Sequence, residues 1–139
     1  MLAMVITAAG ALMVGTAGVA HADGNLYAAI AVGSGHVGEA TDYPDPFAAD
    51  QAALQACEKG FLVGCRIKAR AQNACASVVE RDAQELLGPG PEYYVGVGLT
   101  AAGAEQDAKR REASPLYMSL TPLTKPPFVL DTICTSNVR

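Results

Sequence analysis

The residues that could do acid–base or nucleophilic work gather around one short segment. His36 is followed closely by Glu39 and Asp42, a base with two candidate orienting carboxylates, and Ser34 or Ser77 could act as nucleophile. The same segment, AVGSGHVGEA at residues 31–40, contains G-x-G-x-x-G at Gly33, Gly35 and Gly38 after an apolar run. A dinucleotide site needs a helix opening at those glycines and an acidic residue about 20 positions on. Here Pro44 and Pro46 block such a helix. The glycines instead suit a tight turn between antiparallel strands, where an exposed imidazole needs no partner. A second pattern, Gly96, Gly98 and Ala101, does precede a helix, but a Pro-rich connector lies where the acidic strand end should be. Neither a nucleotide cofactor nor a catalytic residue is expected from these motifs.

Metal chemistry finds little support either. His21 and His36 are the two histidines, and the four cysteines, Cys57, Cys65, Cys75 and Cys134, form no C-x-x-C pair. Residues 1–22 (MLAMVITAAGALMVGTAGVAHA) carry no charged side chain and end in Ala20-His21-Ala22, the small-x-small pattern of a signal-peptidase site. They are read as a secretory signal, with a membrane anchor as the competing reading, although no Lys or Arg precedes the apolar run. Residues 23–139 then form one secreted domain, extracellular or in the cell envelope, with no membrane span after cleavage. Its formal charge of −4 argues against nucleic acid as a partner. In that compartment an even, small set of cysteines reads first as disulfides.

Periodicity divides the domain into two similar halves of strand, strand, helix, strand. In the first, residues 26–32 and 36–43 are strands. Asp45 caps a helix with Pro46 at its first position, Phe47 and Leu54 on one face and Cys57 at its end. Residues 65–71 (CRIKARA) form the third strand. In the second, residues 75–79 and 93–99 are strands, the polar segment 80–92 is a loop, Thr100 caps a helix over 101–113, and residues 128–135 form the last strand after a Pro-rich connector. The first strands align at an offset of 48, and AEQDA at 104–108 sets against AADQA at 48–52. The fold class is α+β, two pseudo-repeated units in one small disulfide-stapled domain with antiparallel sheet and two helices.

Three cysteine pairings are open, and the layout favours Cys57 with Cys65, across a helix–strand turn, and Cys75 with Cys134, between the first and last strands of the second half. On the chain-entropy model these contribute about 2.5 and about 4 kcal/mol. Strict alternation would put Arg66, Lys68 and Arg70 in one row about 13 Å long, a candidate face for an anionic surface or partner, or simply a solvated edge.

The YAAIAV strand, the A-x-x-x-A-L-x-x-C helix ending at Cys57, the C-x-I strand from Cys65 and the N-x-C-A step at Asn73 resemble the domain of unknown function 4189 family. The resemblance runs from about Leu26 to Cys134. It implies a small secreted protein of the kind common in mycobacteria and related actinobacteria, and brings no catalytic residues with it. Many members carry Trp and a further cysteine near the end of the second helix, where residues 110–113 stand here. The expectation is a secreted, non-enzymatic interaction module acting on the envelope or a host protein. The alternative is a small extracellular hydrolase using His36.

Overall fold

Ser34 and Gly35 adopt φ of 33° and 81°, the paired positive values of a two-residue hairpin turn. They join β1 (Tyr27–Gly33) to β2 (His36–Tyr43), in register from Gly33 opposite His36 to Ala29 opposite Ala40, with a register shift before Tyr27 meets Tyr43. The first glycine motif is therefore a hairpin, with no helix opening at it. The computed structural model describes residues 24–59, 64–85, 88–113, 123 and 125–138. The expected leader and most of the Pro-rich connector lie outside the described residues.

Asp45 starts α1 (Pro46–Glu58) by accepting the Ala48 amide at 2.8 Å, and β3 (Arg66–Gln72) pairs with the other edge of β1, giving the order β2-β1-β3. The second unit repeats that order. β4 (Cys75–Glu85) and β5 (Gly88–Gly98) form a hairpin, Thr100 caps α2 (Ala101–Glu112), and β6 (Phe128–Cys134) completes the order β5-β4-β6. Both sheets are antiparallel. The middle strands meet a bulged partner at matching places, with Lys68 as the extra residue of β3 and Leu130 of β6.

Three sequence expectations are corrected. The segment 80–92 is strand rather than loop, paired from Glu80 opposite Tyr93 out to Glu85 opposite Gly88. Its prolines, Pro89 and Pro91, are tolerated because β5 is an edge strand. The helices align by cap and buried face, Asp45 with Thr100 and Ala49 and Ala53 with Ala104 and Ala108, which is one position away from the AADQA–AEQDA match. Phe47 also departs from the expected apolar face: it is 71% exposed, while Ala49, Ala53 and Cys57 form the buried stripe.

The layers run helix, sheet, sheet, helix. Between the sheets lie Ala28, Ile30, Val32, Ala69 and Ala71 from one side and Ala76, Val78 and Ile133 from the other. On the outer face of the first sheet, Ala29, Ala31 and Ala40 meet Ala49, Ala53 and Cys57 of α1. Alanine dominates both layers, so α1 and α2 sit very close to the strands beneath. A Cβ on Gly38 would run into Ala53 O and Cys57 N, and one on Gly96 into Ala104 O and Ala108 N.

Asn73 joins the halves. At φ 49° it turns β3 into β4. Its Oδ1 accepts the Leu26 amide at 2.9 Å and the Asn137 side chain at 2.6 Å, while its Nδ2 donates to Asn25 Oδ1 at 2.7 Å. Thr135, fully buried, donates from both its amide and its hydroxyl to Ala74 O. One turn residue thus holds the segments entering β1 and leaving β6.

If the close seating of α2 is as stated, Gly96→Ala must push helix from strand. A loss of about 3 kcal/mol is expected in urea unfolding. An unchanged midpoint would show that the helix rides higher than described.

Candidate functional site

The structure disperses the candidate catalytic groups. His36 is exposed at the start of β2, with Ser34 in the adjoining turn, and among the described residues no hydrogen bond joins His36 to Ser34, Glu39 or Asp42. Asp42 Oδ1 instead accepts the Ser136 amide at 2.7 Å, tying β2 to the segment after β6. Ser77 is fully buried. Its hydroxyl lies 2.9 Å from Thr132 Oγ1 and 3.2 Å from Asp131 O, and Thr132 Oγ1 donates to Glu105 of α2 at 3.3 Å. These contacts place Ser77 in a sheet-to-helix link away from the His36 turn. Among the described residues, no group of three or more His, Cys, Asp or Glu side chains could hold a metal ion.

The expected basic row is broken by the β3 bulge. Ala69 opposes Ile30 but Ile67 opposes Ala31, so alternation slips at Lys68. Arg70 turns to the helix side, where Nε and Nη2 bond the Asp50 carboxylate at 2.7 to 3.1 Å. Lys68 lies over the Tyr93 ring of the neighbouring sheet, 4.7 Å from its centroid. Arg66 remains exposed at the start of β3. A row of three charges thus becomes a helix ion pair, a contact between sheets and an exposed arginine.

The cysteines join as Cys57–Cys65, Cα atoms 6.2 Å apart, and Cys75–Cys134, Cα atoms 4.0 Å apart. Cys75 and Cys134 are directly opposed in the β4–β6 register. The same place in the first unit is the pair Tyr27 and Gln72. Beside that pair, a cavity of about 420 Å³ opens between the first turn of α1 and the end of the sheet, lined by Tyr27, Ala28, Pro46, Arg70, Ala71 and Gln72.

Two charged clusters were not legible in the sequence. Arg81, with no exposed surface, lies 3.2 Å from Glu92 and 3.5 Å from Glu112, and Tyr94 Oη donates to Glu92 at 3.0 Å. Burial, then the bond to Glu92, raises the Tyr94 phenol. The stripe Ala104, Ala108, Glu112 along α2 is the signal that a charge would be carried inward, once the strand above it is known to extend to Arg81. The second cluster is the seam between β2 and β6. Asp131 Oδ1 accepts the Thr132 amide at 2.8 Å, and among the described residues no donor reaches the buried Oδ2. Burial, and then the charge of Glu39, pushes the Asp131 carboxyl up to about 6, with the Thr132 amide opposing the rise.

A carboxyl raised in the folded state contributes stability that is complete below its unfolded value and is lost as pH rises through the folded one. Stability against thermal unfolding should therefore fall as pH rises from about 4 to about 6 and level off above that. Asp131→Asn should flatten that part of the profile. A profile unchanged by the substitution would place the titration elsewhere.

A search of the curated proteins and one of the solved structures returned no match. Residues 27–114, from the first strand through the second helix, match the family model described as Domain of unknown function (DUF4189), and the chain belongs to that family.

Proposed function

We propose that this chain is an extracellular binding module without chemistry of its own, secreted through cleavage of residues 1–22 and acting on the cell envelope or on a host protein. The observation that carries the reading is the pair of disulfides closing a core built largely of alanine. Such a core buries little apolar area per residue, so cross-links supply a large share of stability, and cross-links of this kind persist in oxidising compartments. Among the described residues there is no free cysteine and no helix long and apolar enough to cross a membrane.

Binding rather than catalysis is favoured by the dispersal of Ser77, His36 and Asp42 into separate contacts, since a hydrolase needs nucleophile and base in mutual reach. The surface also offers contact groups: Phe47 and Leu99 are 71% and 74% exposed, and Arg66 stands at a sheet edge. Of the expected basic row, exposed Arg66 is the charged group this reading retains.

The test is an intact mass of the protein recovered from culture medium, with free thiols trapped before and after reduction. A chain beginning at Asp23 with no free thiol is expected. A full-length, cell-associated species with four free thiols would overturn the reading.

A further inference from the structure

The cavity between α1 and the first sheet is bounded by groups with spare hydrogen-bonding capacity. Arg70 spends Nε and Nη2 on Asp50, and among the described residues no hydrogen bond engages its Nη1, the Gln72 amide or the Tyr27 hydroxyl. The Arg70 charge is matched by Asp50, so the site offers directional donors and acceptors without an uncompensated charge. Its remaining boundary is the Tyr27 ring, Pro46 and the strand backbone at Ala28 and Ala71.

Comparison of the two units isolates what is particular to this place. Asp50 of α1 reaches Arg70 of β3, as Glu105 of α2 reaches Thr132 of β6. In the second unit the adjoining pair is the Cys75–Cys134 cross-link, and Ser77 bonds Thr132 across the sheet. In the first unit the adjoining pair is Tyr27 and Gln72, and the residue beside Arg70 is Ala29. The second unit uses these positions to join its own strands; the first leaves them facing a cavity.

We propose that this cavity binds a neutral sugar ring, with the Tyr27 ring and Pro46 against its C–H face and the Gln72 amide, Arg70 Nη1 and Tyr27 hydroxyl on its hydroxyls. The volume, about 420 Å³, lies in the range of small-ligand sites. A matched Arg–Asp pair suits hydroxyls, which need both donors and acceptors, better than an anion, which would need the arginine charge for itself. This deepens the binding-module reading and rests on it, naming envelope glycan as the class of ligand.

The experiment is a titration of the oxidised protein with the methyl glycosides of glucose, galactose, arabinose and N-acetylglucosamine, following backbone amide shifts by NMR, with sodium phosphate as the anionic comparison. Saturable shifts at Ala28, Arg70, Ala71 and Gln72 are expected with at least one glycoside. They should weaken about tenfold in Gln72→Ala, the loss of one or two neutral hydrogen bonds. Tyr27→Phe, which keeps the ring and removes only the hydroxyl, should weaken them less. The variants' thermal midpoints show whether the fold is kept. Shifts with phosphate alone, shifts away from these amides, or affinity unchanged in Gln72→Ala would each overturn the proposal. Those outcomes leave the extracellular reading standing if the secreted, thiol-free mass is found, whereas a reduced, cell-associated protein defeats that reading whatever the titration gives.

Discussion

Everything in this domain follows from how closely each helix backbone lies on the strand beneath it. Contact at Gly38 under Ala53 and Cys57, and at Gly96 under Ala104 and Ala108, leaves no space for a side chain between them. Such seating demands glycine on the strand and alanine on the helix, and it fixes the helix position by backbone packing rather than by large interlocking side chains. The consequence is a core that is tight but poor in apolar area. Two cross-links and the Asn73 clasp then hold what burial alone would hold weakly.

The same economy explains where polar groups went. With alanine filling the helix–sheet layers, the space at the distal end of α2 is taken by Arg81, a buried cation paired with two glutamates. At the β2–β6 seam the buried Asp131 carboxyl lies in the field of Glu39, which makes that junction sensitive to pH. The asymmetry between the units has the same origin. A pair of strand-end positions that one half closes with a disulfide is left by the other half as Tyr27 and Gln72 beside a cavity.

Much of the architecture was legible because short-range signals mark it. The Asp45-Pro46 cap, the Ser34-Gly35 turn and the alternation of apolar runs each specify their element locally. The long β4–β5 hairpin was hidden because its outer half carries Glu80, Arg81, Asp82 and two prolines, a composition that reads as loop until an edge strand and a covering helix are known to accommodate it. The basic row failed for a different reason. A single extra residue at Lys68 reverses which side each neighbour faces, and nothing in CRIKARA announces a bulge. The Glu39–Asp131 seam joins residues of different sheets, so no sequence period connects them.

The central claim is that cross-links, above all the one joining the opposed strands β4 and β6, carry a large share of the stability of an alanine-rich fold. It is tested most directly by urea unfolding of the oxidised protein against the variant with both Cys75→Ala and Cys134→Ala. The account predicts a loss of about 4 kcal/mol for this loop, larger than the roughly 2.5 kcal/mol for the short Cys57–Cys65 loop. A loss below about 1 kcal/mol, with the fold retained, would mean that the alanine layers are sufficient on their own and would contradict it.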